Sequence, residues 1–140
     1  MLTTATLADR LRVSVGRLAR RLRQQSMGGL TPSQSSILAN LDRLGPMTMT
    51  QVAEQERIAK PSATGIVGRL VDKGLVDKSV DPADRRSSVV AITGAGTNLL
   101  AQRRRERTAF LAERVEGLTK EERRTLERAV EILEHMTEER

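Results

Sequence analysis

Arg85 and Arg86 stand side by side in DPADRRSSVV (residues 81–90), between two aspartates and a β-branched run. A guanidinium carries a permanent charge and a planar fork of donors that suits phosphate oxygens and base acceptors. A second polar group, Lys60, Ser62, Thr64 and Arg69, recurs within KPSATGIVGR. Such side chains bind; to catalyse, a hydroxyl needs a neighbouring base. Bases are scarce, because the chain has no cysteine and a single histidine, His135. These counts exclude a thiolate nucleophile, a disulfide and cysteine-ligated zinc. The acids alternate with bases as surface residues do, and no phosphate-loop glycine pattern is present. The residues therefore point to binding rather than catalysis, with no cofactor and no metal.

The charge balance names a class of partner. The chain carries 24 Lys plus Arg against 18 Asp plus Glu, a net charge of +6. Residues 1–102 hold 14 basic and 8 acidic side chains, and residues 103–140 hold 10 of each, so the surplus lies wholly in the first part. A polyanion is drawn there. No apolar run approaches membrane-spanning length, and Asp9 and Arg10 interrupt the one N-terminal candidate, so a cytoplasmic protein without a membrane partner is expected. At 140 residues a single domain is expected, of a size at which a partner subunit usefully adds buried surface.

The elements that must position these side chains follow from spacing. Leu7, Leu11, Val15, Leu18 and Leu22 recur every three or four residues and predict a basic amphipathic helix over 6–25, ended by the glycines at 28 and 29. In LTPSQSSIL, Thr31 and Gln34 have capping-box spacing and Pro32 suits the first helical position. This second helix is expected to bury Ile37, Leu38, Leu41 and Leu44 and to stop at Gly45 and Pro46. Thr48 and Gln51 open a short third helix. Pro61 opens a fourth, with Ile66, Val67, Leu70 and Val71 inward and Gly74 at its end. Residues 75–79 and 87–92 predict two strands joined by the arginine-bearing loop. Thr93 then caps a long helix over 96–116, and Thr119 with Glu122 opens a last one striped by Leu126, Ala129, Val130, Leu133 and Met136.

Two short helices followed by a hairpin make a winged helix-turn-helix, within a mainly α (α+β) chain. The fold expected is a DNA-binding lobe over 31–95 with a helical dimerisation layer from both termini, 1–30 and 96–140. A helix-turn-helix offers its second helix to the major groove of a DNA duplex. Lys60, Pro61, Ser62, Ala63 and Thr64 open that helix: Ser62 and Thr64 can bond bases or phosphates, Ala63 can meet a thymine methyl, and Lys60 and Arg69 can reach the backbone. Gly65 and Gly68 serve either close helix packing or close approach of a polyanion's backbone. Arg85 and Arg86 at the hairpin tip suit a minor groove or a phosphate. Asp81 and Asp84, poor neighbours for phosphate, are assigned to shaping the wing, by pairing with an arginine or by stiffening the loop.

LTPSQSSIL, MTMTQVAEQERIAKPSATGIVGRLVDKGLV and, above all, DPADRRSSVVAIT followed by GAG resemble the MarR family of bacterial winged-helix transcriptional regulators. The resemblance covers essentially the whole chain. It implies a homodimer on a palindromic or near-palindromic operator, usually a repressor released by a small anionic or phenolic compound. By motif, Pro61, Ser62, Ala63, Thr64 and Arg69 fall on the family's recognition helix, and Asp84, Arg85 and Arg86 on its wing. The family's ligand cavity points toward residues 11–22, 37–44 and 99–111, with Arg17, Arg20, Arg21 and Phe110 as candidate contacts to an anionic or apolar effector. Gly65 departs from the larger, often basic residue many members carry, and Phe110 is the sole aromatic residue. An effector-independent architectural DNA-binding protein and a helical protein-interaction module are the alternative readings.

Overall fold

The computed structural model describes residues 1–26 and 28–138. In chain order the elements are α1 (Thr4–Gln25), α2 (Pro32–Leu44), β1 (Met47–Thr48), α3 (Met49–Glu56), α4 (Lys60–Asp72), β2 (Val76–Val80), β3 (Ser88–Ile92), α5 (Gly94–Glu116) and α6 (Lys120–Thr137). Five of these helices start behind a threonine: Thr3, Thr31, Thr48, Thr93 and Thr119 each accept a hydrogen bond from the amide three residues on. Each thereby satisfies a donor that has no partner inside the helix. Helix α4 differs, beginning behind Ala59 with no side-chain cap.

The three strands form an antiparallel sheet in the order β1-β3-β2. Val76 to Val80 pair with Ile92 to Ser88, which is the expected hairpin. Strand β1 is additional to the expected elements: two residues show no periodicity, yet Met47 pairs with Val90 and Thr48 with Val89. The hairpin's return strand is consequently the central one, fixed on both sides. The core is built from α2, α3, α4 and the sheet, with Ile37, Leu38, Leu41, Val52, Ala63, Val67, Leu70, Val76 and Val90 almost wholly removed from solvent. Leu99 and Leu100 of α5 pack against it. The fold is a winged helix on a mainly α chain, as the spacing implies.

Helix α5 begins two residues earlier than its apolar pattern indicates, because Thr93 caps it directly. The Thr93 hydroxyl donates to Gly74 O (2.7 Å) and its amide to Leu75 O (3.0 Å), pinning the start of α5 to the end of α4. Gly96 permits this approach: a Cβ there would collide with Leu75 O and lie 2.7 Å from Ile92 Cγ1. Gly65 and Gly68 are the opposite case, since a Cβ at either meets nothing within 4 Å. Close packing within the chain is thus not what they serve.

Gly96→Ala is expected to lower stability by about 1–3 kcal/mol through overpacking. Gly68→Ala is expected to raise it by up to about 1 kcal/mol through helix propensity. Denaturant unfolding of both variants checks the contrast; a Gly96→Ala protein as stable as the parent would contradict the packing described.

Candidate nucleic-acid interface

Helices α3 and α4 form the helix-turn-helix, and its exposed face follows from its buried one. Ala63, Val67 and Leu70 are fully buried, one turn apart, while Lys60, Pro61, Ser62, Thr64, Gly65 and Arg69 are exposed. Ala63 therefore corrects one expectation. It belongs to the core stripe and cannot meet a thymine methyl, because its helical phase matches Val67 and Leu70. The Thr64 hydroxyl donates back to Lys60 O (2.9 Å), which leaves its oxygen lone pairs outward as acceptors. The absence of a capping side chain at Ala59, and of any acid in the first turn, leaves that end of α4 with its positive pole uncovered.

The wing loop is shaped by its aspartates through the backbone. Asp81 Oδ1 accepts from the Ala83 amide (2.9 Å) and Asp84 Oδ1 from the Arg86 amide (3.0 Å). The Asp81 amide donates to Ser87 O (3.0 Å) and the Ser87 amide to Asp84 O (2.9 Å), closing the loop. The alternative in which an aspartate pairs with an arginine is not what forms: both carboxylates are turned onto amides. Arg85 and Arg86 are exposed, and among the described residues the ion pairs are Arg12–Asp9, Arg123–Glu127 and Arg128–Glu131, all on α1 and α6. The wing arginines thus present their full charge to solvent.

The effector residues are not gathered as expected. Arg17, Arg20 and Arg21 are exposed along α1. Phe110 is half-buried under the Arg114 guanidinium, 3.5 Å from the ring centroid. None of the four lines the cavity of about 290 Å³ between α2 and α5, whose wall includes Ser35, Asp42, Leu100, Arg103, Arg104 and Arg107. Arg103 is only 4% exposed and donates to Ser35 Oγ (3.0 Å). Burial first, and then the neighbouring Arg107 charge, lower its pKa against the opposing effect of Glu106. It remains a cation at any physiological pH. Arg107 Nε donates to Ser26 Oγ (2.6 Å), and Ser26 donates on to Leu22 O (3.2 Å). A sequence signal exists for both, since Arg103 and Arg107 continue the Leu99 stripe at four-residue steps, where a core residue is otherwise expected. Lys73 donates to Gly29 O (2.6 Å) and ties the end of α4 to the α1–α2 connection.

A family model described as "MarR family" matches residues 28–87, which run from the α1–α2 connection through the wing loop. The chain is 36% identical over 130 residues to the HTH-type transcriptional regulator MT0903.1 of Mycobacterium tuberculosis, covering 92% of this chain and 91% of that one. It is 29% identical over 94 residues to the HTH-type transcriptional repressor MdtR of Bacillus subtilis, covering 67% of this chain and 61% of that one. The crystal structure of transcriptional regulator Tm0710 from Thermotoga maritima superposes with a TM-score of 0.80 at 23% identity, over 91% of this chain and 94% of that one, and shares its fold. The chain belongs to the MarR family of helix-turn-helix transcriptional regulators.

Ser26→Ala is expected to lower stability by about 1–3 kcal/mol, because it strips a bonded partner from Arg107 at a nearly buried site. Equilibrium unfolding in urea reads this directly. An unchanged midpoint would show that the Ser26–Arg107 bond contributes nothing to holding α1 and α5 together.

Proposed function

We propose that the protein is a homodimeric repressor of near-palindromic DNA sites, with α4 in the major groove, the wing in the adjacent minor groove, and release by a small anionic effector. The observation that carries this reading is the division of α4: one face is sealed into the core, and the other presents Lys60, Ser62, Thr64, Gly65 and Arg69 beside an uncapped positive pole. Ser62 and Thr64 read base edges, Gly65 lets the duplex approach closely, and Lys60 and Arg69 hold phosphates. Arg85 and Arg86 enter or flank the minor groove, on a loop that Asp81 and Asp84 stiffen.

The dimer is supported by the apolar surface the single chain leaves open. Neither α1 nor α6 buries any residue, and Leu7, Val15, Leu18, Val130, Ile132 and Met136 are all more than two-fifths exposed. Stripes of this kind call for a second copy. In this reading residues 31–95 form the DNA-binding lobe and 1–30 with 96–140 the dimerisation layer, which sets two recognition helices about 34–36 Å apart, one duplex turn. Repression is supported by the relative named as a repressor. The effector is assigned to the α2–α5 cavity, where three arginines face one aspartate and the wall holds no aromatic ring, which favours an anion over a stacked phenol. It acts only through a difference in affinity between the DNA-competent and released conformations.

Replacing Arg85 and Arg86 together with alanine is expected to weaken duplex binding and to lower the salt slope by about 0.9 for each phosphate no longer neutralised. Equal affinity and slope in a folded double variant would remove the wing from the interface. Ser62→Ala and Thr64→Ala are expected to change sequence preference, at about 1–3 kcal/mol per base contact, when bound pools are sequenced. A uniform loss on all duplexes would instead make both residues backbone contacts.

A further inference from the structure

We infer that Arg57, in the turn between α3 and α4, is a phosphate clamp for the duplex, separate from the recognition helix and the wing; this rests on the DNA reading above. The signal is backbone conformation at a residue whose side chain makes no ion pair among the described residues. Helices α3 and α4 end in the same way. After α4, the Leu75 amide reaches back to Leu70 O (3.0 Å) around Gly74 at φ 72°; after α3, the Ile58 amide reaches back to Ala53 O (3.0 Å) around Arg57 at φ 55°. This closure favours glycine, which alone meets no Cβ penalty in the left-handed region. The other residues with positive φ among those described are Gly28, Gly29, Gly45 and Gly74, so Arg57 stands alone as a side chain at such a position.

Nothing among the described residues repays that choice. Arg57 is exposed and forms no ion pair among the described residues. Its neighbour Glu56 is already engaged, with Oε1 accepting from Ser36 Oγ (2.8 Å) and Asn40 Nδ2 (3.0 Å), which turns that carboxylate toward α2. Arg57 lies three residues before Lys60, the first residue of α4, and so within about 11 Å of it along the chain. Two cations at the positive pole of a helix are unfavourable in isolation. A polyanion reverses that sign. With α4 filling a major groove about 12 Å wide, a long side chain from the turn before its first residue sits over the groove's rim, where the phosphodiester backbone runs. A guanidinium there positions the protein and carries no base information.

The test compares wild type, Arg57→Gly and Arg57→Lys on a selected duplex and on an unrelated one across a salt series, with thermal unfolding alongside. Arg57→Gly is expected to unfold at the same or a higher temperature, since glycine suits the left-handed position, while its salt slope falls by about 0.9 on both duplexes. Arg57→Lys is expected to keep most of the slope. An unchanged slope in Arg57→Gly overturns the proposal, as does a lowered unfolding temperature with unchanged binding, which would make Arg57 a folding residue. A loss confined to the selected duplex also overturns it, in favour of base reading. Failure of the wild type to bind any duplex removes the DNA reading and this inference together, whereas wild-type binding with an unaltered Arg57→Gly slope removes this inference alone.

Discussion

Ala63, Val67 and Leu70 seat α4 against α2, α3 and the sheet, and that seating sets the direction of every other side chain on the helix. With three positions a turn apart sealed, the remaining face has one rotational setting, and Ser62, Thr64, Gly65 and Arg69 lie on it. The same packing fixes the wing, since the hairpin leaves α4 through Gly74 and returns along β3, which β1 holds from the other side. Helix α4 and the wing are therefore joined in one packed unit, and their common orientation is a consequence of core packing.

Helix α5 connects that unit to the rest of the chain at two levels. At its start, Thr93 and Gly96 lock it to the end of α4 and to Leu75 with no room for a Cβ. About two and three turns beyond Gly96, Arg103 and Arg107 hold Ser35 of α2 and Ser26 beyond α1. Lys73 adds a third tie, from the end of α4 to Gly29. The cavity between α2 and α5 is thus walled by the same arginines that join the helices. In the reading proposed above, an anion seated there competes with Ser35 and Ser26 for the guanidiniums, which couples occupancy to the angle between lobe and dimerisation layer without a separate device.

Much of the fold is legible in the sequence because it is written in short-range chemistry. The threonine caps at 31, 48, 93 and 119, the glycine stops at 45 and 74, and the β-branched strands around a polar loop each act within a few residues. What escapes a sequence reading depends on interactions across the fold. Strand β1 exists because β3 is there to pair with it, not because Met47 and Thr48 have a pattern. Ala63 reads as outward because a small residue near a helix start gives no signal of its facing until the Val67 and Leu70 phase is applied to it. Arg103 is hidden in a run of cations, although its place on the Leu99 stripe marks it as buried. The wing aspartates are legible as loop formers, but their choice of amides over guanidiniums depends on loop geometry that composition does not encode.

In the proposed function, a dimer presents two copies of the outward face of α4 to one side of a duplex. Footprinting on duplexes selected from a random pool tests it most directly. Two major-groove protections are expected, with centres about 10–10.5 base pairs apart, each flanked by a minor-groove protection from the wing. A single protected patch without a symmetric partner, or uniform protection with no recovered sequence, would contradict it.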